Sequence, residues 1–478
     1  MASAISCDLL IRGGHVVDPT QGIDATGDVA LNEGRVVAVA TGDSRPEFHP
    51  ARVLDAQGCY VIPGIIDPHV HLSSHYSGRV AHKMLARAGV TTALDTGGPA
   101  ADVVTTAGRH GAGLTIACLE GLAAGANLPS RDPAAAEIRQ AGEKAQAAGA
   151  LGVKIHYDHA LTPEAAQRTI EEMNRQGMWV AFHCGTTATA SDITGLREAV
   201  ALAGRNRLHV AHVNSYCRGN VMEPAVEALE AIELLNSAPQ LFTESYLAVI
   251  NGTSARCANG EPVNARVKMW LGMGGFAGTQ DGLRQAIMAG YARINAVVGD
   301  DTALATGTAG VAAWEAAGTN IGLSFPVNPP IPRLMLATAK DQAGHFVVDA
   351  LGTDGGGIPR NVLVSAGMQV VQMEMLSMAD LVRKLSWTPS RVLGLKSKGH
   401  LSEGADGDVT VIDPVARRAR TTVAGGEIIM HDGVVFGRGS TFVTTKRGAE
   451  AVTATAGCTA RVIDVTESGF YTGDGLKA

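Results

Sequence analysis

Aromatic residues make up only 4% of this 478-residue chain, and no apolar run approaches the roughly 18 residues of a membrane span. The core must therefore be packed largely by Ala, Val and Leu. Cys7, Cys59, Cys118, Cys184, Cys217, Cys257 and Cys458 form no C-x-x-C pair, and an odd number scattered so widely is no disulfide framework. An excess of basic charge is also missing. Lys and Arg total 39 against 46 Asp and Glu, a net charge of −7 with no large basic run, which argues against a nucleic-acid partner. The start, MASAISCDLLIRGG, lacks a basic segment followed by a long apolar one, so it reads as a first strand and not as a signal peptide. The expected address is the cytoplasm, with no membrane association.

Glycine is plentiful, at 58 residues, and 46% hydrophobic against 18% charged residues is an ordinary globular balance. The length suits one large domain and a smaller one. Residues 1–62 alternate short strand-like segments with turns (DLLIRGGHVVD, GDVALNEGRVVAVA, RVLDAQGCYVI), and the same texture returns in GADGDVTVIDP, RARTTVAGGEIIM and HDGVVFGRG. Between them, GIIDPHVHL, VTTALDTG, LTIACLEG, LGVKIHY, WVAFHCG, LHVAHVNS, QLFTESY and VVDALGTD alternate with Ala-rich helical segments. Eight such strands predict an α/β fold, a (β/α)8 TIM-type barrel over 63–395, with 1–62 and 396–478 pairing into a small composite β-sandwich. An insertion at about 251–345, with a helical stretch DGLRQAIMAGYARINAVV, reads as a lid, an interface or extra packing.

In a barrel of this kind functional side chains gather at the C-terminal strand ends. There the sequence places His69 and His71, two apart and so on one face of a strand, then Lys154, His183, His212 and Asp354. Imidazole and carboxylate suit zinc and related ions. An ammonium would be repelled by such cations, but a neutral lysine amine can add carbon dioxide, and the carbamate can bridge two metals. Two ions so bridged share a hydroxide whose pKa falls toward neutrality. Asp354 would hold that nucleophile, take its proton and pass it to the leaving nitrogen.

With these residues in place the chain resembles the amidohydrolase superfamily, in its dihydropyrimidinase, hydantoinase and dihydroorotase branch. The resemblance rests on DLLIRGGHVVDPTQG, VIPGIIDPHVHL, GVKIHY, FHCG, LHVAHVNSY, TESY, GTDGGG and the closing GHLSEGADGDVTVIDP and VAGGEIIMHDGVV. It implies two divalent metal ions, commonly zinc. His69, His71 and Asp354 would hold one, His183 and His212 the other, and carbamylated Lys154 would join them. A dimer or tetramer acting on a small-molecule substrate is also implied. Two departures stand out. Leu72, Ser73 and Ser74 follow the histidine pair where dihydroorotases carry an arginine, and Gly355, Gly356 and Gly357 follow Asp354, as in deacylase and isoaspartyl dipeptidase relatives.

Candidate substrate contacts are His156, Tyr157, Asn214, Tyr216, Ser245, Tyr246 and Gly355. His209 is expected to turn away from His212 and pack under a helix. Cys184 and Cys217 read as inert buried thiols, and the triple glycine as backbone that lets substrate approach. The leading function is hydrolysis of a cyclic amide, imide or hydantoin-like ring at a C–N bond. A linear amidase, such as an N-acyl amino-acid deacylase or isoaspartyl dipeptidase, needs a clamp for a substrate carboxylate, for which Arg79, Arg218, Arg256 and Arg360 are available. A non-catalytic binding protein on the same fold is the reading from another class, and the retained ligand set speaks against it.

Overall fold

Residues 5–42 and 46–477 are described by the structure, a computed structural model; residues 1–4 of the expected first strand lie outside them. The eight apolar segments all become parallel strands: β1 (Ile65–His71), β2 (Val90–Asp95), β3 (Ala112–Cys118), β4 (Gly152–His156), β5 (Trp179–His183), β6 (His209–Val210), β7 (Phe242–Ser245) and β8 (Ala350–Leu351). β1, β2 and β5 are buried at every position. That follows from helices covering a parallel sheet, and it explains why these strands lack the polar–apolar alternation of a half-exposed strand.

The ladders form two arcs. One runs β8–β7–β6–β5–β4 and ends on Glu120–Gly121; the other runs Gly355–Gly356, β1, β2 and β3. The chain itself joins them at both ends. Leu119 alone lies between β3 and Glu120, and Gly352, Thr353 and Asp354 lie between β8 and Gly355. One apolar core fills the interior of both arcs and the layer beneath their helices.

Strands from the two termini join in a nine-stranded sheet, where Tyr60–Pro63 pairs with Val409–Asp413, over a separate small core. The assignment of 396–478 to that sheet needs a correction. Gly439–Thr444 pairs parallel with β3, and Cys458–Val462 pairs with Gly439–Thr444, so both extend the second arc. The last residues then cross the N-terminal end of the strands. Phe470 stacks on Trp179 at 4.2 Å, the Tyr471 hydroxyl donates to the Met178 carbonyl at 2.6 Å, and the Lys477 amide donates to Asp349 at 3.0 Å. Three of the few aromatic rings, Trp179, Phe242 and Phe470, thus close the end opposite the candidate site.

The insertion folds around its own core, with a four-stranded antiparallel sheet (Asn251–Ser254, Gly322–Phe325, Arg293–Val298, Asp301–Ala305). The expected helix over 281–298 is half right. A helix covers Gln280–Met288, but after Gly290 the β-branched segment forms a hairpin whose turn is Gly299–Asp300. That hairpin is tied to α1 (Gly78–Arg87), where Lys83 pairs with Asp300 at 2.7 Å and Arg79 donates to Gly299 O at 3.5 Å. A second tie runs from Arg266, on α2 (Ala265–Met273), to Asp158 just after β4. The insertion is therefore fastened to the helix that follows β1 and to the segment just after β4. Among the described residues no helix is long and apolar enough to cross a membrane.

His82, on α1, is fully buried, and neither ring nitrogen has a partner among the described residues. Burial, with the charge of His110 adding to it, pushes this imidazole down to about 4 from 6.5. The unfolded chain therefore binds the proton first as pH falls. The resulting stability is present in full above pH about 6.5 and is lost toward pH 4, by roughly 3 kcal/mol for this ring alone. Urea unfolding at two pH values in and above that window should show His82→Leu losing less stability on acidification than the wild type. Equal losses would show that His82 is not a source of acid sensitivity.

Candidate active site

Each sequence-selected side chain of the metal-ligand set lies at the C-terminal edge of the parallel strands, and together they form one cluster. His71 Nε2 is 2.8 Å from Asp354 Oδ1, and His69 Nε2 is 3.5 Å from the same oxygen. Lys154 Nζ lies 3.0 Å from His69 Nε2 and 3.1 Å from Thr96 Oγ1. His183 Nδ1 faces His212 Nε2 at 3.2 Å, and the rings of His212 and His69 stack at 5.1 Å. His69, His212 and Asp354 offer ligand atoms that all lie within 4.8 Å of one another.

The opposite ring nitrogens are tied down by oxygen. His69 Nδ1 meets Glu244 Oε1 at 2.5 Å, His183 Nε2 meets Ser191 Oγ at 2.8 Å, and His212 Nδ1 meets Ser215 Oγ at 2.7 Å. Such outer hydrogen bonds fix ring orientation and decide which nitrogen faces inward. His71 Nδ1 alone of the four has no such partner among the described residues.

Two strand ends bend to make this geometry. His212 has φ 34° and Asp354 φ 52°, both in the left-handed region that non-glycine residues seldom adopt. Each bend is held by a buried polar side chain. The His212 amide donates to Glu244 Oε1 at 2.7 Å, while Arg360 donates to the Asp354 carbonyl from Nε and pairs with Asp354 Oδ2 from Nη2, both at 2.5 Å. The bend at His212 also corrects the expectation for His209. Alternation along β6 stops at Val210, so His209 stays on the interior side, 6.3 Å from the His69 ring and packed against Trp179 and Phe242.

Burial dominates the electrostatics. It holds the imidazoles of His69, His183 and His212 well below their ordinary value, with Lys154 or neighbouring histidines adding to the effect. Burial also lowers the Lys154 ammonium, against the pull of Asp354, Glu244 and Asp95, and raises the Glu244 carboxyl. For Asp354 burial works the other way and is outweighed. The Arg360 guanidinium, then His69, His71 and His212, hold that carboxyl well below the usual range. The site thus offers neutral imidazoles, a lysine biased toward its neutral amine and one firmly ionised carboxylate.

The expected substrate contacts divide into two groups. His156 and Tyr157 lie beside the cluster, with ring centroids 4.4 and 6.3 Å from His183. Asn214 Oδ1 accepts from Ser245 Oγ at 2.9 Å and from the Tyr246 amide at 3.0 Å, which leaves its buried Nδ2 without a partner among the described residues. Ser245 and Tyr216 are fully buried and committed elsewhere, Ser245 to Asn214 and the Tyr216 hydroxyl to the Cys184 amide at 2.8 Å. The triple glycine serves the chain's own backbone. A Cβ on Gly355 would lie 2.3 Å from Asn361 Oδ1, on Gly356 2.4 Å from His71 O, and on Gly357 1.6 Å from Tyr76 O. Close packing of β1 against this turn, not room for substrate, accounts for that motif.

Of the four arginines, Arg79 ties down the insertion and Arg256 is exposed, whereas Arg360 and Arg218 are buried beside Tyr246. Leu72, where an arginine was absent from the motif, is fully buried. Sequence reasoning selects Ser245 and Tyr246 in TESY and misses Glu244. The available signal was a carboxylate inside an apolar strand, which is costly unless it has a structural or chemical task.

Residues 60–325 match the amidohydrolase family. A dihydroorotase of Citrifermentans bemidjiense is 26% identical over 425 residues, covering 85% of this chain and 90% of the relative. Among solved structures, D-aminoacylase superposes with a TM-score of 0.64 at 16% identity, over 90% of this chain and 98% of that one. The D-hydantoinase of Bacillus sp. AR9 superposes with a TM-score of 0.56 at 15% identity, over 90% and 97%. These likenesses to solved structures concern the fold. With its family match spanning more than half its length, the chain belongs to the amidohydrolase family and is an enzyme that hydrolyses carbon–nitrogen bonds other than peptide bonds.

Proposed function

We propose that this enzyme opens a cyclic amide, imide or hydantoin-like ring at a C–N bond. The relatives named dihydroorotase and D-hydantoinase support a ring substrate. We further read the two arcs as one (β/α)8 barrel and the nine-stranded terminal sheet as a second domain; the continuity of the chain at both ends of the arcs supports this.

The observation that carries the functional reading is the chemistry of the clustered donors. His183 Nδ1 and His212 Nε2 face each other at 3.2 Å in an interior that disfavours protonated rings, an arrangement a cation would satisfy. His69, His71, His183, His212 and Asp354 would hold two divalent metal ions, most readily zinc, joined by Lys154 once its neutral amine has added carbon dioxide and released a proton. When bound, the metals would polarise the amide carbonyl and bring the pKa of water toward neutrality.

The chain's own groups divide the remaining work. Asp354 would take water's proton at Oδ1, the oxygen that faces His69 and His71, because Arg360 occupies Oδ2. The same carboxyl would pass the proton to the leaving nitrogen. Glu244 keeps His69 and His212 in register, and His156 and Tyr157 flank the space beside His183.

Protein loaded with zinc or manganese is expected to hydrolyse at least one of dihydrouracil, hydantoin, a cyclic imide and dihydroorotate, and Asp354→Asn should reduce kcat roughly a thousandfold. Turnover of linear N-acyl amino acids alone would overturn the ring assignment. A zinc-loaded crystal structure should show two ions and a carboxylate on Lys154 Nζ; one ion beside a bare amine would sink the carbamate. Glu244→Ala strands the His69 ring N–H and the His212 amide. It should cost roughly 2–4 kcal/mol in urea unfolding and about 10–100-fold in zinc affinity, with Glu244→Gln recovering part of both.

A further inference from the structure

Arg218 is only 6% exposed, yet no carboxylate pairs with it among the described residues. Its guanidinium is held by neutral groups: Nε donates to Asn328 Oδ1 at 3.0 Å and Nη2 to the Tyr246 hydroxyl at 2.9 Å. Asn328 is itself fixed, because its Nδ2 donates to Ala248 O at 3.0 Å and to Ile250 O at 2.9 Å, which turns its oxygen toward Arg218. The guanidinium is therefore oriented in advance but not neutralised, and a buried charge left that way is costly.

The neighbouring indole is also a donor without an acceptor. Trp270, on α2 of the insertion, is 1% exposed; its ring centre lies 5.9 Å from the Arg218 guanidinium carbon, and its Nε1 has no partner among the described residues. One helical turn earlier, Arg266 is committed to Asp158 and only its Nε is without a partner among the described residues, as is Asn214 Nδ2 four residues before Arg218 in sequence. Spacings of four put Arg266 and Trp270 on one face of α2. Tyr246, which receives the Arg218 bond, has its ring 6.1 Å from that of His212 and carries Arg360 over its other side, 5.4 Å from the ring centre. A buried guanidinium with no carboxylate partner, beside an indole N–H that has no acceptor, calls for a ligand that only accepts. A carboxylate does so, and arginine grips it through two parallel hydrogen bonds.

We propose that Arg218 and Trp270 form an anion-binding element, roofed by the insertion, that selects amides bearing a carboxylate away from the bond to be cut. This rests on the hydrolase reading above and narrows its substrate class. It also assigns the carboxylate grip to the loop after β6, in place of the position after the β1 histidines, where Leu72 is buried.

Two matched pairs test the assignment on the metal-loaded enzyme: dihydroorotate against dihydrouracil, and N-acetylglycine against N-acetylglycinamide. The carboxylate member of a hydrolysed pair should be favoured at least about tenfold in kcat/KM. Arg218→Gln should bring that ratio close to one, Arg218→Lys should fall between, and Trp270→Phe, which keeps the ring and removes the N–H, should lower it a few-fold. A wild-type preference for the neutral member, or an equal loss on both members in Arg218→Gln, overturns the proposal.

If no pair is turned over, the proposed reaction fails, and calorimetry still decides the anion element. Succinate should bind the wild type at least about tenfold more tightly than Arg218→Gln, and succinamide should show no such difference. Equal succinate affinity in the two proteins overturns it. Thermal melting of each variant reports whether it is folded, and the wild-type comparison of matched pairs needs no variant.

Discussion

One buried carboxylate oxygen organises the catalytic edge of this molecule. Glu244 Oε1, at the end of β7, accepts from the His69 ring on β1 in one arc and from the His212 amide after β6 in the other. Glu244 is fully buried, so its desolvation is offset only while both donors are present. Remove that oxygen and the left-handed bend at His212 loses its partner, as does the orientation of His69. The other bend, at Asp354, depends in the same way on Arg360. Strain at two strand ends is thus held by Glu244 and Arg360, and the ring nitrogens face inward as a consequence.

The surrounding fold makes such burial tolerable. Phe470, Trp179 and Phe242 close the N-terminal end of the strands, and the insertion, tied to α1 and to Asp158, lies over loops at the C-terminal end. Burial lowers the local dielectric, which shifts the balance of the ionisable groups in the cluster. The imidazoles of His69, His183 and His212 are held toward their neutral form, and lysine leans toward its amine. Asp354 stays ionised because an arginine sits on it. These states favour coordination and carbamylation without any further adjustment of the site.

On the proposed reading, hydrolysis and recognition fall on different parts of the chain. The cluster that would cut the bond comes from the strand ends, whereas the donors that would grip an anion come from the loop after β6 and from α2 of the insertion. A scaffold that fixes the reaction while a separate segment sets the substrate is a common division in enzymes built on parallel strands. The insertion here is long because it carries its own core and reaches both α1 and the β4 loop.

The chain written out in one dimension determined the eight parallel strands, the pairing of its two ends and the side chains that gather at one edge. Each of those is announced by a local pattern: an apolar run, an alternation, a histidine pair at spacing two. Tertiary structure alone decided the rest. The role of Glu244 depends on partners 175 and 32 residues away, and the return of Gly439–Thr444 to β3 on an edge strand left open there. His209 faces inward because a backbone bend at His212 breaks the alternation that a sequence implies. The glycines after Asp354 are there for Tyr76 and His71, whose approach no spacing reveals. What a residue does in this protein is legible in sequence where its neighbours along the chain fix it, and illegible where the cost of burial is met by a partner from elsewhere in the fold.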